Sequence, residues 1–566
     1  MKKKALGTVV SLVLLLLFLF VIAFSFKNSF LSFQTSLGAK NFEKKFETNF
    51  EIVGLEGNSL YVNNMYLANI SLGDIEIDGE PCLITDTNLS LGINEVEVFE
   101  CTKGKVVNSV VSVLVRSSQG IISKELYQNN VPCDNYTVED FYGGDGTLGN
   151  PWQVCNCYQL QNLQNYLGGN FTFVNTIDCS QTASWNWNGT QYEGFIPVGT
   201  ESSQFMGTID GADNTVRGLY INRSEDLSGI IGVANKSSIK NIRLFSSTIE
   251  GGDSTGSLVG RSYGSVFANI SATQVFSYGN ASVGGIIGEV YTSNLSNLSV
   301  SDGFVSGISS CGGILGAYIG MVVAPEGVFY FENSSSDAYV ECSDGPGGGL
   351  LGSGLYYVTI NGSFAVGDVY STTGSGFGGL AGLFAYNSIL DNSYATGSVV
   401  GNNMTGGLVG LSFFGSIENS YATGSVVGSN MTGGLIGSFY GGFPGNHLEY
   451  SYASGNVSGE IAVGGLVGYA EAIPINYSFS TGAVTGTGDV GGVIGNFYSS
   501  GIDNSYWNND SSNPSVGIGI SFAPLSTNVF AVDDDLSYFY DSGNAPLSSW
   551  DGLIWNISGI ALPLFN

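Results

Sequence analysis

The chain has 566 residues, of which 43% are hydrophobic and 11% charged, and its 17 basic and 47 acidic residues give a formal net charge of −30. Arg261 is the last basic residue, so residues 262–566 contain no Lys or Arg. A surface without cations cannot neutralise phosphates, which excludes nucleic acid as a partner of that region. The low content of charge and the regular apolar columns described below argue against disorder.

The N-terminus predicts a membrane anchor. Residues 5–26 are uncharged and mostly apolar, follow three lysines and are long enough to cross a bilayer. The basic start predicts that residues 1–4 are cytoplasmic and that residues 27–566 lie outside the cell, in a single-pass protein of the cell membrane. A cleaved secretory signal is the alternative, although its apolar region is normally about 7 to 15 residues long. The start KKKALGTVVSLVLLLL also resembles archaeal type IV pilin-like N-termini, which implies processing near Ala5 with the apolar helix retained.

Three segments of different composition precede the main part of the chain. Residues 27–55 carry mixed charges, and we expect them to form a stalk. Residues 56–128 contain short alternating apolar runs, which predict a small β domain. Residues 129–215 are expected to form the lead-in cap of the region that follows.

Eight cysteines support placement outside the cell, because disulfides persist in oxidising compartments. A metal cluster at Cys155-Asn-Cys157 is the competing interpretation. One intervening residue is shorter than ordinary zinc spacing, however, and the chain has a single histidine. We therefore expect disulfides, and the candidates are Cys82, Cys101, Cys133, Cys155, Cys157 and Cys179.

A short glycine phrase recurs ten times within residues 216–507. Gly407-Leu-Val-Gly410 and Gly434-Leu-Ile-Gly437 are two copies, and the closing glycines lie 27 to 36 residues apart. A fixed period in this range is the signature of stacked repeats. The apolar runs are too short for helices, and the composition favours strands and turns. The sequence predicts an all-β fold: a parallel β-helix (β-solenoid) of about ten coils, with a closing cap over residues 508–566.

Aligned coils give an aliphatic and an aromatic column. The aliphatic column is expected to face inward and consists of Leu390, Ile417, Leu448, Ile475 and Ile502. The aromatic column follows four residues later and consists of Phe364, Tyr394, Tyr421, Tyr452, Phe479 and Tyr506. An outward aromatic column would form a flat strip suited to stacking on sugar rings, whereas an inward one, the favoured interpretation, would be core. Glycines after the aromatics, such as Gly397 and Gly424, predict positive φ at a coil corner.

A third column is acidic. Its carboxylates are Asp391, Glu418, Glu449 and Asp503, with Asn476 taking one position. Like charges one coil apart repel, and no basic residue lies near them in sequence. Screening by water and salt is the first expectation, and calcium bound between coils is the alternative. No other cofactor is expected.

Several phrases resemble the GLUG-motif repeat proteins of bacteria and archaea. They include GGLVG and NSYATGSVVG, the lead-in GDGTLGNPWQVCNCYQLQNL, and the closing NSYW with Trp555 and Pro563. The resemblance covers residues 135–566 and implies an extracellular β-helix. Because this family is not tied to one activity, the resemblance implies little about chemistry.

Chemistry-bearing motifs are scarce. His447 is the only histidine, so a two-histidine metal motif cannot exist, and we expect it to be a solvated loop residue. The acidic run at residues 533–535 is expected to be a solvated turn. No catalytic residue is predicted, and we do not expect an enzyme. Asn403 and Asn430 begin Asn-Met-Thr triplets and are glycosylation candidates.

The sequence thus predicts a membrane-anchored cell-surface β-solenoid that acts in adhesion or as a structural surface component. A surface carbohydrate-binding or carbohydrate-cleaving β-helix is the first alternative, and a minor pilin-like subunit is the second. The expected partners are the membrane, through residues 5–26, and cell-surface glycans or proteins.

Overall fold

The computed structural model describes residues 141–566, except 321–328, 499–500, 511–512, 523–526 and 534, and the backbone of the strands between Phe50 and Gln128. The predicted anchor, most of the predicted stalk, and Cys82, Cys101 and Cys133 lie outside the described residues. In the described part of the chain, no helix has the length and apolarity needed to cross a membrane. Two compact units divide the chain between residues 132 and 133.

The described strands of the N-terminal unit pair antiparallel in two groups. The first sheet contains, in spatial order, Phe50–Glu56, Ser59–Asn64 and Val96–Glu100. The second contains Ile70–Ile77, Glu80–Pro81, Ser90–Leu91, Ser109–Ser117 and Gly120–Gln128. The first strand begins inside the segment that the sequence assigned to a stalk.

The second unit is a parallel β-solenoid of about eleven coils, in which each strand pairs with the equivalent strand one coil away. Wall one contains Ile231–Asn235, Val259–Tyr263, Ile287–Tyr291, Leu315–Ile319, Leu351–Leu355, Ala381–Ala385, Val409–Phe413, Ile436–Tyr440, Val467–Glu471, Ile494–Tyr498 and Ile518–Ser521. Wall two contains Ala281–Gly284, Ser309–Gly312, Gly347–Gly348, Ser375–Gly378, Asn403–Gly406, Asn430–Gly433, Ile461–Gly464 and Gly488–Gly491. The predicted all-β parallel solenoid is therefore confirmed.

Wall three consists mostly of short strands, up to three per coil, which merge into single strands of 13 residues at Ser238–Glu250 and Val266–Tyr278. Its strands are Trp152–Val154, Asn170–Phe173, Ile177–Asp178, Thr208–Asp210, Thr215–Arg217, Tyr220–Asn222, Ser238–Glu250, Val266–Tyr278, Asn294–Ser301, Phe304–Gly307, Phe329–Glu332, Ser335–Ser336, Tyr339–Cys342, Val358–Asn361, Phe364–Ala365, Val369–Tyr370, Ile389–Asp391, Tyr394–Ala395, Val399–Val400, Ser416–Glu418, Tyr421–Ala422, Val426–Val427, Leu448–Glu449, Tyr452–Ala453, Val457–Ser458, Ile475–Asn476, Phe479–Ser480, Val484–Thr485, Ile502–Asn508 and Thr527–Val532. The lead-in strands belong to this wall, so the stacking begins before residue 216.

Short helices occur at both ends of the described solenoid unit. Near its start lie an α-helix, Cys157–Asn162, and the 3-10 helices Leu163–Asn165 and Ser180–Ser184. The segment predicted as a closing cap has two structurally different parts. Ile518–Ser521 and Thr527–Val532 continue the ladders of walls one and three. The rest contains the 3-10 helices Leu536–Tyr540 and Leu547–Ser549 and the antiparallel pair Trp555–Asn556 and Leu564–Phe565.

The interior of the solenoid is a continuous apolar core. The predicted aliphatic column pairs in register from Leu390 to Ile502, and all five side chains are buried in that core. Each coil therefore buries its apolar face against the coils before and after it, as stacked repeats do.

The glycine phrase forms the corner between walls two and one. The strand of wall two ends at Gly406 and that of wall one begins at Val409, so the chain turns between these two residues. Because of this turn, the consecutive residues Leu408 and Val409 are both fully buried. A Cβ at Gly407 would collide with the carbonyl oxygen of Gly434 in the next coil. The glycines are thus required because the backbones of successive coils approach closely at this corner.

The glycines that follow the aromatic column do not have the predicted positive φ. Gly424 has an ordinary φ, and a Cβ there would collide with the carbonyl oxygen of Gly397 one coil earlier. Left-handed residues lie instead at the preceding turn, before the aromatics, for example Asn392 and Asn419 at φ 47° and 42°. Asparagine tolerates that conformation better than most residues.

Candidate functional surfaces of the solenoid

The aromatic column faces outward, contrary to the favoured sequence interpretation. Its residues pair in register, and rings from Phe364 to Phe479 stack with centroids 4.8–5.0 Å apart and interplanar angles of 1–6°. The next residue in each coil, such as Ala395 or Ala422, points into the solenoid core. Side chains alternate along a strand, so the aromatic rings lie on the outer surface.

The C-terminal clasp, which we define as residues 536–566, covers most of this column. Phe539, Leu547, Trp550 and Trp555 form a separate apolar cluster with the aromatic rings. Trp550 Nε1 donates to the carbonyl oxygen of Tyr477 at 2.9 Å. The clasp therefore lies along the side of the coils rather than across the end of the stack.

The clasp reaches back over several coils. The hydroxyl of Tyr452 donates to the carbonyl oxygen of Pro563 at 2.8 Å, and the ring of Phe565 lies 6.0 Å from that of Tyr394. Tyr421, Tyr452, Phe479 and Tyr506 are consequently buried. Burial raises the pKa of the Tyr452 hydroxyl above its ordinary value. The column as a whole does not offer the open strip that stacking on sugar rings requires.

The acidic column lies in register on wall three, and its carboxylates have nitrogen partners. Glu418 pairs with Glu449, Glu449 with Asn476, and Asn476 with Asp503. Amide groups donate to three of the four carboxylates: Asn419 to Asp391 at 2.9 Å, Asn476 to Glu449 at 2.8 Å and Asn504 to Asp503 at 3.0 Å. Carboxylates that accept hydrogen bonds in this way tolerate neighbours of like charge better than bare ones.

The fourth carboxylate, Glu418, contacts His447, which the sequence predicts to be a solvated loop residue. His447 Nε2 lies 2.7 Å from Glu418 Oε1, its Nδ1 lies 2.7 Å from the carbonyl oxygen of Gly445, and its side chain is 23% exposed. His447 is thus 29 residues from Glu418 in sequence, but it stands two residues before Glu449 of the same column, and stacking of the coils brings it against Glu418. The expectation of a solvated histidine was wrong.

The titration of these groups follows from their contacts. The hydrogen bond from His447 lowers the pKa of Glu418, and the same bond raises the pKa of His447 although burial opposes it. Burial, reinforced by the charge of Glu418, raises the pKa of Asp391. The column therefore contains one carboxylate–imidazole contact that favours the charged forms of both groups and one carboxylate that is disfavoured in its charged form.

The calcium hypothesis rests on like charges in adjacent coils with no basic residue near them in sequence. Each carboxylate has an amide or imidazole nitrogen within hydrogen-bonding distance, and calcium between the coils stays a prediction. No group of three or more His, Cys, Asp or Glu side chains able to hold a metal ion occurs within the described residues.

The two glycosylation candidates are neighbours in adjacent coils. Asn403 and Asn430 pair in register on wall two, and Asn430 Nδ2 donates to Asn403 Oδ1 at 3.0 Å. Both side chains are half-buried. Because the two amides are in contact, we expect glycans on both of them to crowd one another.

Three of the six predicted cysteines are in disulfides, the other three lie outside the described residues, and one further disulfide was not predicted. Cys157 and Cys179 are joined, and Cys155 is disulfide-bonded. Cys311 and Cys342, which were not among the candidates, form a buried bridge between consecutive coils. Their separation of 31 residues is close to the repeat period, and that spacing was the available signal.

Arg261 forms an ion cluster that the sequence did not predict. Its Nη1 lies 2.6 Å from Glu201 Oε1 and its Nε 2.6 Å from Glu289 Oε2. Ser254 and the hydroxyl of Tyr291 also donate to Glu289, at 3.0 and 2.9 Å. Burial, followed by the charge of Glu289, raises the pKa of Tyr291 to about 12. The last Lys or Arg of the chain thus joins the lead-in to the coils that carry Arg261 and Glu289.

A second aromatic surface lies on the outer face of wall one and was missed. This open aromatic strip has an unbroken run of ring contacts, with centroids 4.2–5.8 Å apart, through Tyr356, Tyr386, Phe413, Tyr440, Tyr469, Tyr498 and Phe522. Phe414 and Phe443 lie beside it. Unlike the covered column, it is partly open to solvent: Phe443, Tyr498 and Phe522 are 51%, 41% and 58% exposed.

The stacked glycine-phrase coils define the protein as a parallel β-solenoid repeat protein. The family model described as "The GLUG motif" matches residues 401–427, so the chain carries the repeat that its phrases resemble. The matched segment runs from the end of one coil through the Gly406–Gly410 corner to the strand Val426–Val427 of the next.

Two relatives share part of the chain. Halomucin of Haloquadratum walsbyi is 28% identical over 225 residues, which is 37% of this chain and 2% of halomucin. A protein named as a Gly-rich membrane protein in Evansella cellulosilytica is 33% identical over 136 residues, which is 23% of this chain and 15% of that protein. The chain thus aligns with only a small part of either relative's length.

A solved structure with similarity to this chain is named as an immunoglobulin A1 protease from Bacteroides ovatus. It has a TM-score of 0.26 and 15% sequence identity, over 75% of this chain and 95% of that chain. A TM-score this low carries no argument about function.

Proposed function

We propose that the chain is a cell-surface structural protein whose solenoid lies outside the cell and serves a coat or adhesion role rather than a catalytic one. The observation that carries the proposal is the pair of bridges Cys157–Cys179 and Cys311–Cys342. Disulfides of this kind persist in oxidising compartments and are rare in the cytosol. A GLUG repeat and a relative whose printed name places it in a membrane support the same location.

The surface of the later coils suits an exposed structural protein. Residues 262–566 lack Lys and Arg, so proteases that cut after basic residues have no site there. The in-register ladders pair the strands of each coil with those of its neighbours, and each added coil lengthens the stack by extending the same core. A protein that coats the cell surface or acts as a spacer on it needs no catalytic site.

Protease accessibility of intact cells tests the placement. Proteinase K added to cells that produce the full chain should degrade the region 262–566, whereas trypsin should leave it in one piece. Mass spectrometry of protein taken directly from cells should find Cys157–Cys179 and Cys311–Cys342 oxidised. Protection from proteinase K until the cells are lysed, with a cytosolic protein equally protected, would overturn the proposal.

A further inference from the structure

We propose that the open aromatic strip of wall one binds a neutral glycan chain that lies along the solenoid axis. The inference rests on the proposed placement outside the cell and deepens it, because it assigns a ligand class to one face. The rings concerned belong to successive coils, so the strip is long and about one ring wide. A linear polymer can contact such a narrow strip along its length, whereas a protein partner requires a broader patch.

Ring orientation distinguishes the middle of the open strip from the covered column, whereas the end pairs Tyr356–Tyr386 and Tyr498–Phe522 are stacked at 11°. In the covered column the rings are nearly parallel, so their faces are occupied by one another. From Tyr386 through Phe413, Tyr440 and Tyr469 to Tyr498, consecutive rings are tilted by 69°, 49°, 41° and 33°. Tilted rings leave part of each face open to a ligand, and aromatic faces favour partners with C–H edges.

The spacing along the strip suits a chain of sugar units. Successive centroids between Tyr386 and Tyr498 are 5.8, 5.5, 5.2 and 5.4 Å apart. This spacing is comparable to the length of one pyranose unit, so successive sugars can meet successive rings. Each sugar then presents its apolar face of C–H groups to a ring and its hydroxyls to the flanks.

The charges around the strip exclude anionic ligands and supply acceptors. No Lys or Arg follows Arg261, so phosphorylated, sulfated or uronic acid chains would find no cation on the strip. Glu471 is exposed beside the strip and accepts a hydrogen bond from the Tyr469 hydroxyl at 2.7 Å. Carboxylate and phenol oxygens of this kind accept from sugar hydroxyls.

Affinity electrophoresis of the purified full-length chain tests the inference. The gels contain hydroxyethyl cellulose, mannan or dextran as neutral probes, polygalacturonate as an anionic probe, or no polysaccharide. Migration should be retarded in at least one neutral gel and not by polygalacturonate. The double variant Tyr440→Ala/Tyr469→Ala should weaken the retardation about tenfold, because two stacking rings are lost.

Two further variants keep the test decisive. Tyr370→Ala removes an exposed tyrosine from wall three and should leave retardation unchanged. Phe443→Ser removes an exposed ring in a turn beside the strip, where a folding defect is least expected, and should weaken binding. Absence of retardation in all three neutral gels, or equal loss in Tyr370→Ala, would overturn the inference. Sedimentation showing a dimer that Tyr440→Ala/Tyr469→Ala dissolves would assign the strip to a second copy instead. Because this assay uses purified protein, its failure leaves the cell-surface placement standing.

Discussion

Trp555→Ala tests whether the C-terminal clasp is a separately docked part of the fold. Trp555 is 1% exposed, and its ring lies 4.6 Å from Trp550, 4.8 Å from Phe565 and 6.1 Å from both Tyr421 and Tyr452. Truncating a buried aromatic ring of this size costs about 3–5 kcal/mol. The loss falls on the contact between the clasp and the outer surface of the coils.

The measured effect has an upper limit set by the architecture. Once the lost free energy exceeds that with which the clasp docks, the clasp detaches and the stacked coils remain, because each coil is stabilised by its neighbours. Hydrogen exchange with mass spectrometry should show lost protection in residues 536–566 and at the Tyr421 and Tyr452 strands. Protection in the early coils, such as Ile231–Asn235, should be unchanged.

Trp555→Phe is the matched control. Trp555 Nε1 is buried and has no hydrogen-bond partner among the described residues, a state that costs about 1–3 kcal/mol. Phenylalanine removes that group and keeps most of the ring, so we expect a net change below about 1 kcal/mol. Equal loss of protection throughout the solenoid in Trp555→Ala, or no loss anywhere, would refute the assignment of the clasp.

Three other outcomes follow from the ladders. The pKa of His447 is raised in the folded state and that of Glu418 is lowered, so their mutual stabilisation is complete between the ordinary values of about 4.5 and 6.5. It is lost as pH rises through the folded pKa of His447 or falls through that of Glu418. His447→Gln should therefore lower the free energy of local unfolding by about 0.5–1 kcal/mol more at pH 6 than at pH 9. An equal effect at both pH values would contradict the pairing. Gly407→Ala should destabilise its coil by about 3 kcal/mol in urea denaturation, whereas Gly501→Ala, where a Cβ meets nothing within 4 Å, should be tolerated; similar midpoints for the two variants would rule out the close approach at the corner. On chain recovered from a glycosylating host, intact-peptide mass spectrometry should find Asn430 or its register partner occupied but never both, and a doubly modified peptide would disprove the crowding.

Columns seen in sequence became ladders in space because parallel stacking keeps equivalent residues in register. The period of the glycine phrase predicted the pairing of Leu390 with Ile417, and the same alignment placed Glu418 opposite Glu449. What the period did not reveal was the partner of Glu418. His447 stands directly before Leu448, at the position that Ser416 takes one coil earlier, and because equivalent positions in the other coils carry unlike residues, no column of similar side chains marked it.

The sequence alone determined the β-solenoid, because each coil needs only its neighbours and the repeat period records that local relationship. It also determined which residues share a column. Only the tertiary structure decided which way the aromatic column faces, since strands of two residues such as Tyr421–Ala422 are too short for alternation to distinguish inside from outside. The deciding contacts come from the clasp, for example between Tyr452 and Pro563, 111 residues apart. No periodic pattern records a contact between a repeat and a segment that does not repeat.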